Sequence, residues 1–365
     1  MKRAGLRVHI RQLCCLGLPG EQLMPSLLKS IRELVDADSA AFFWVDARGD
    51  MTNLYAERLL PAPVRQVYFS SYYDADDSSF RRAFLGRARQ ADPVSALTPS
   101  AEAERSAYYN EVLRRLDAHH VLYGIVREQS QAIGQLSLYR PKSVSAFSGA
   151  QRTELTSIMR YVAHGVSRHS STATDVKDFL DTDDDNVFFV GADGELRQIS
   201  TAAQRLLALA TQDTLGPQPK RDAVDDAARP TLRQLAERLQ AVLASGEGPP
   251  PGVVLQSSWG RFVLRAYATS DPPLTADAVI AVRIQRQEPM LLRFVDALNG
   301  LALSPQQREV AVGLARGATN RELAEALGVS VNTVSYHVKQ LFQRLDTHDR
   351  QQMVARILQS PGCPH

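Results

Sequence analysis

Between positions 319 and 339 the chain gathers Thr319, Arg321, Ser330, Asn332, Thr333, Ser335, Tyr336 and Lys339, a dense set of hydroxyl, amide and cationic groups. Side chains of this kind on one surface can hydrogen-bond base edges in the major groove of double-stranded DNA. Cations and hydroxyls beside them reach phosphate oxygens, which fixes orientation without reading sequence. An apolar stripe decides which side is free, because Val334, Val338, Leu341 and Leu345 recur at i, i+4, i+7 and i+11 of a helix. With that stripe inward, Asn332, Ser335, Tyr336, Lys339 and Gln343 point outward and suit base edges. Thr319, Arg321, Thr333 and Lys339 are placed to reach phosphates.

The elements that position these groups announce their own ends. Ser304-Pro305-Gln306-Gln307 supplies an N-cap, a proline at the first helical position and a glutamine three residues on, and Gly317 stops that helix near Arg316. Thr319-Asn320-Arg321-Glu322 is a capping box for a second helix that carries Leu323 and Leu327 inward, and Gly328 allows a sharp turn. Ser330 caps the third helix after only Val329. Two short helices joined by a glycine-bearing turn make a helix-turn-helix, whose second helix can enter the major groove. A plain structural bundle would have the caps but no need of the polar Ser330-to-Lys339 face.

Leu303-Ser304-Pro305, Arg308-Glu309-Val310, Gly317, Asn320-Arg321-Glu322-Leu323-Ala324, Leu327-Gly328-Val329-Ser330, Thr333-Val334 and His337-Val338 strongly resemble the LuxR-type (NarL/FixJ-like) DNA-binding domain over residues 300–358. The resemblance implies dimeric binding to promoter DNA, base contacts from Ser335, Tyr336 and Lys339, and a fourth helix near 349–358 that pairs two subunits. The sequence departs from that family at two positions. Ser335 stands where Lys or Arg is usual, which bears on affinity and half-site sequence. Asp346 stands where a turn glycine is common, which bears on the geometry between helices three and four. LuxR-type tails are often joined to phosphoreceiver domains, but the Asp183-Asp184-Asp185 run precedes its strand instead of following one, so phosphorylation control is disfavoured.

Upstream, the 365 residues carry 42 Lys and Arg against 40 Asp and Glu, so no chain-wide field advertises nucleic acid or membrane. Over 301–365 the balance is seven Lys or Arg against five Asp or Glu, which predicts moderate DNA affinity. Cys14, Cys15 and Cys363 cannot form a disulfide framework and fit a reducing cytoplasm. The basic start before Leu13 to Leu18 is too short for a secretory signal, and no window approaches a membrane span.

Leu23, Leu27, Leu28, Ile31, Leu34 and Val35 predict a helix, and Ala40 to Val45 a strand followed by a turn and a second strand. Residues 121–126 and 132–139 predict paired strands, and 147–166 a helix with Leu155, Ile158, Met159 and Val162 on one face. This segment resembles a GAF domain at Glu21 to Val35, Asp36 to Asp46 and Phe147-Ser148. The Ser, Thr and Asp-rich stretch 168–185 reads as a solvated linker. Residues 187–190, 195–199, 253–256, 261–269 and 278–285 then predict strands, with a helix over 202–210 and loops at 216–230 and 246–252. That segment resembles a PAS domain at Asn186 to Gly194, Ala202 to Leu209, and near Phe262 and Ile280. Residues 289–299 predict an amphipathic connecting helix.

The two resemblances imply sensing of a small molecule and name none. Fourteen of the 25 aromatics lie in residues 1–140, so Trp44, Tyr55, Tyr72, Tyr108 and Tyr123 mark a candidate ligand pocket, with ordinary core packing as the plainer role for each. His119-His120 suits a solvated helix end better than haem ligation or a pH switch, and Cys14-Cys15 suits packing better than oxidant sensing. No nucleophile elbow, phosphate loop or metal motif is present, so no catalytic residue, metal or cofactor is assigned.

The sequence therefore predicts a multidomain α+β chain with two small α/β sensor domains, GAF-like and PAS-like, followed by an all-α four-helix helix-turn-helix domain. The boundaries are 1–170, a 171–185 acidic linker, 186–287, a 288–300 connecting helix and 301–365. The expected function is a cytoplasmic, homodimeric, one-component transcription regulator that binds promoter DNA and not membrane, under control of a small-molecule effector. The alternative is a sensor or interaction protein whose C-terminal module serves mainly for dimerisation.

Overall fold

The computed structural model describes residues 3–58, 64, 67–73, 79–167, 178–215, 221–246, 248–270, 275 and 277–359. Two compact units divide the chain. One comprises Met1–Asp36, Thr153–Leu180 and Pro289–His365, the other Ala37–Arg152 and Asp181–Glu288.

The unit formed by Ala37–Arg152 and Asp181–Glu288 is built on two five-stranded sheets. The first contains β1 (Ser39–Val45), β2 (Met51–Ala56), β3 (Val94–Leu97), β4 (His120–Glu128) and β5 (Gln131–Arg140) in the order β2-β1-β5-β4-β3. The second contains β6 (Phe179–Gly191), β7 (Leu196–Gln198), β8 (Gly252–Ser257), β9 (Gly260–Ala268) and β10 (Val279–Pro289) in the order β7-β6-β10-β9-β8. Renumbered from their own first strands, both sheets run 2-1-5-4-3. The same chain path is used twice.

Residues paired across neighbouring strands share a face. In the first sheet Ala41 pairs with Ala56 and Ser137, Phe43 with Leu54 and Gln135, and Ser137 with Tyr123, so these side chains lie on one face. Helix α3 (Ser79–Ala88), the π-helical turns Tyr68–Tyr73 and Tyr109–Leu113, and short 3-10 turns lie in the intervening connections. Phe84 of α3 packs with Val45 and Ile125. The other face carries Phe42, Trp44 and Tyr55. There Trp259 at the start of β9 stacks on Tyr55 at 5.8 Å and meets Trp44 edge-on at 5.9 Å.

The acidic run expected in a linker is strand instead. Residues 168–177 lie outside the described residues, but Asp181 to Asp185 belong to β6. The reason is a partner 98 to 106 residues away: Arg283 of β10 binds Asp185, Arg286 reaches Asp184, and Gln287 donates to Asp181. The expected loop over 216–230 is also corrected. A 25-residue helix begins at Arg221 and runs to Ser245 with Pro230 inside it. It buries Val224, Ala228, Leu232, Leu235, Ala236 and Leu239 along one side, which outweighs the backbone hydrogen bond that proline removes. The helix Thr201–Thr211, α5, falls where the periodicity placed it, and 221–245 is α6.

His119 and His120 end no helix. Both are buried at the start of β4, where Tyr109 hydroxyl lies 2.6 Å from His119 Nδ1 and Thr98 hydroxyl 2.9 Å from His120 Nδ1. Hydrogen-bonding neighbours remote in sequence make that burial tolerable.

The remaining unit is helical: α1 (Arg3–Cys14), α2 (Gly20–Val35), most of α4 (Gly149–Ser167), α7 (Met290–Asn299), α8 (Pro305–Ala315), α9 (Asn320–Leu327), α10 (Val331–Leu345) and α11 (Arg350–Leu358). Helix α1 has no counterpart in the sequence-based expectations. Its Leu13, with Leu16, Leu18 and Leu23, joins one continuous apolar core with Phe294, Leu298, Val310, Val334, Leu341, Met353 and Ile357. Cys14 is buried against Gly165 of α4, and burial pushes its thiol pKa up, while Cys15 is exposed.

Candidate nucleic-acid interface

Three of the four C-terminal helices start at the capping residues read from the sequence, and the fourth starts after a cap, Asp349, that the sequence reading does not identify as one. Ser304 Oγ accepts from the Gln307 amide at 3.2 Å while Gln307 Oε1 accepts from the Ser304 amide at 3.0 Å, which closes the first capping box. The second is closed by Thr319 and Glu322. Hydrogen bonds from Thr319 amide and hydroxyl hold the Glu322 carboxyl below the usual carboxylate range. Ser330 accepts from the Thr333 amide at 3.1 Å, and Asp349 from the Gln352 amide at 2.8 Å. Each box satisfies N–H groups that the helix itself leaves orphaned.

Helices α9 and α10 are joined by Gly328 at φ 65°, Val329 and Ser330. Close packing of α8 on α9 depends on Gly313, where an added Cβ would lie 2.1 Å from Leu323 Cδ2. Arg308 fixes the approach from α7 to α8. Its buried guanidinium donates to the carbonyls of Leu301 at 2.9 Å and Leu303 at 3.3 Å, and burial pulls its pKa down.

On α10, Val334 and Leu341 are fully buried, Leu345 is 9% exposed and Val338 is half-buried. The opposite side carries Asn332, Ser335, Tyr336 and Lys339, all exposed, with Tyr336 at 60%. Thr319, Arg321 and Ser330 are exposed as well, and Thr333 is half-buried beneath its contact with Ser330. Asn320 of α9 donates to Ser335 Oγ at 3.3 Å, and Gln340 donates to the Tyr336 hydroxyl at 3.2 Å. Of the eight positions singled out from the sequence, seven are exposed and Thr333 is half-buried.

Two features of this region escaped the sequence reading, and a third, the turn at Asp346, it had singled out. Val329 and Val331 are 41% and 46% exposed at the turn and the first residue of α10, although apolar spacing alone gives no reason to place them outside. An open groove of about 560 Å³ runs along α10 past Ser335, Lys339 and Gln343 to Thr347 and His348. Asp346 itself adopts the left-handed conformation, φ 53° and ψ 55°, so the turn expected of a glycine forms with an aspartate in it.

Residues 301–357 match the sequence model of the family described as bacterial regulatory proteins, luxR family. This segment is a LuxR-type helix-turn-helix domain. The chain containing the LuxR-type domain is 35% identical over 107 residues to the probable transcriptional regulatory protein SgaR of Hyphomicrobium methylovorum, covering 28% of this chain and 47% of that one. It is 29% identical over 126 residues to the tetrathionate response regulatory protein TtrR of Salmonella typhimurium, covering 34% and 60%. The chain therefore spans at most 60% of the length of these two relatives. Among solved structures, the GAF3 domain of a Synechocystis protein overlaps 40% of this chain at 14% identity with a TM-score of 0.30.

Of the five aromatics proposed for a ligand pocket, the fold separates two from three. Trp44 and Tyr55 pack on Trp259, on the face of the first sheet turned away from Phe43 and Ser137. Tyr72 and Tyr108 rings meet at 5.1 Å, and Tyr123 lies under the Arg87 guanidinium at 4.1 Å, on the side of Phe43 and Ser137. Tyr108 also lines a cavity there, together with Tyr68 and Tyr139. No helix among the described residues is long and apolar enough to cross a membrane.

Proposed function

We propose that the chain is a DNA-binding transcription regulator whose α10 reads base edges through Asn332, Ser335, Tyr336 and Lys339, while Thr319, Arg321 and Thr333 reach the phosphate backbone beside Ser330. The observation that carries this reading is the division of α10 into a buried Val334-Leu341-Leu345 side and an exposed polar side. Val331 and Val329 add exposed methyl groups of the kind that pack against thymine. The outer side of α11, with Gln351 and Ala355 exposed, is the surface that pairs two subunits on a two-fold operator.

In this reading the segments 1–170, GAF-like, and 186–287, PAS-like, receive a small-molecule signal, and 288–300 passes it to the 301–365 domain. The effector acts only if it binds one arrangement of the protein better than another.

The test is fluorescence anisotropy with a duplex from upstream of the gene, repeated across a salt series. Binding that weakens as salt rises, with a logarithmic slope of about −0.9 per phosphate contacted, supports the reading. Self-association that ignores salt and retains no DNA supports the dimerisation role instead.

A further inference from the structure

The cavity on the Phe43 face of the first sheet is lined mainly by apolar side chains, and a polar network lies behind its tyrosines. Its floor is set by small side chains, Ser39, Ala41 and Ala56, and its walls by Tyr68, Tyr108 and Tyr139. The space is about 90 Å³, room for roughly three waters or a molecule of about six heavy atoms.

Beside it lies Arg87 of α3. Both Arg87 Nε and Nη2 donate to Gln135 Oε1, at 3.0 and 2.7 Å, and the guanidinium rests on the Tyr123 ring. Among the described residues no carboxylate pairs with it, and burial pulls its pKa down. A cation withdrawn from water without a counter-ion carries a desolvation penalty that a neutral amide oxygen offsets only in part.

The direction of the hydrogen bonds shows where that charge is felt. Two N–H groups on its oxygen fix the Gln135 amide, so Gln135 Nε2 must donate onward, and it does, to Ser137 Oγ at 3.1 Å. Ser137 keeps its own proton, and its hydrogen-bonding neighbour on the next residue of that face is the Tyr139 hydroxyl. Gln135 and Ser137 are 2% and 1% exposed, so water does not break the relay. The donors from Arg87 through Gln135 to Ser137 point the same way, and with Ser137 donating in turn, the last proton, on Tyr139, serves the cavity that Tyr139 lines. Successive polarisation strengthens such a chain. Arg58, whose acceptor is the Leu116 carbonyl at 3.5 Å, also lines the space, but it is exposed to solvent that screens its charge.

We propose that this cavity binds a small organic acid, its carboxylate accepting from the Tyr139 hydroxyl on the Arg87 side and its alkyl body packed against Phe43, Leu54 and Val112. The proposal deepens the effector half of the function argued above, since it names the chemical class of the signal.

The experiment is titration calorimetry of the full chain with butyrate, its neutral analogue butyramide and the cation butylamine, each at up to millimolar concentration. Butyrate is expected to bind, with butyramide at least about ten-fold weaker and butylamine without heat, because a hydrogen bond to a charged group is the stronger one. Tyr139→Phe removes one hydroxyl and keeps the ring, and should weaken butyrate by about ten-fold; Arg87→Gln tests the charge behind it, and Ala56→Leu fills the space. Failure of butyrate to bind, equal binding of butyrate and butyramide, or unchanged butyrate binding in folded Tyr139→Phe overturns the proposal. DNA anisotropy on the same preparations separates the two claims. Loss of the acid site with DNA binding retained removes only the ligand class, whereas acid binding without any DNA binding removes the regulator reading and leaves the cavity.

Discussion

Tyr336 and Lys339 show how much a single side chain contributes when its helix is held from behind. Both are exposed on α10 while Val334 and Leu341 are fully buried, so truncating either should leave the fold intact and change only what the surface binds. Tyr336→Ala and Lys339→Ala are each expected to cost about 1 to 3 kcal/mol of specific DNA affinity, measured by anisotropy, with melting temperature unchanged. Ser335, in the place where the family usually has a cation, predicts weaker phosphate or guanine contact; Ser335→Lys should tighten DNA binding and steepen its salt dependence. Asp346 holds a left-handed conformation at φ 53° that glycine adopts freely. Asp346→Gly should therefore be neutral or stabilising by up to about 1 kcal/mol in urea denaturation.

His119 is a residue whose protonation links stability to pH near neutrality. Burial, then the neighbouring His120 ring, lowers its pKa below 6.5, with Glu104 opposing and Lys142 adding to the shift. The folded protein then binds this proton less readily than the unfolded chain. His119's contribution is complete above the unfolded pKa and is lost as pH falls below it. A melting-temperature series from about pH 8 to 5 should show the decline, and His119→Gln should remove that part of it.

At the scale of elements, the C-terminal helices were legible because their signals are local. A capping box spans four residues, and Ser304-Gln307 and Thr319-Glu322 both close as the sequence implies. What escaped was whatever depends on distant partners. The acids of β6 read as solvated until Arg283 and Arg286, about a hundred residues later, are seen beside them. Helix α6 was hidden by Pro230 and by a polar start, although its buried leucines keep helical spacing. Tyr139, central to the cavity, gave no signal of its own, since only the pairing of β5 with β1 and β4 brings it there. Gly313 is the element-scale test of the helix-turn-helix: Gly313→Ala forces the Leu323 side chain to move, and after the gain of about 1 kcal/mol in helix propensity it should destabilise the domain by up to about 2 kcal/mol, with DNA affinity falling in parallel.

At the scale of the molecule, the LuxR-type domain does not own its core. Leu13, Leu16, Leu18 and Leu23 from the first residues of the chain share an apolar cluster with the helices of residues 290–358. Polar ties reinforce it: Arg11 and Gln12 both reach Glu309, Arg316 donates to the Cys15 carbonyl, and Ser26 and His9 both meet Asp296 of α7. Leu13→Ala, more than 300 residues from the recognition helix in sequence, should cost about 2 to 5 kcal/mol in denaturant titration of the helical unit, as other fully buried leucines do.

The most direct measurement is the affinity ratio between an upstream duplex and a scrambled duplex of equal length, for the unaltered chain and for the Ser335, Tyr336 and Lys339 triple alanine variant. The account predicts a large ratio that collapses toward one in the variant, with scrambled-duplex binding lowered only by the one lost cation. An unchanged ratio in a folded triple variant would contradict it.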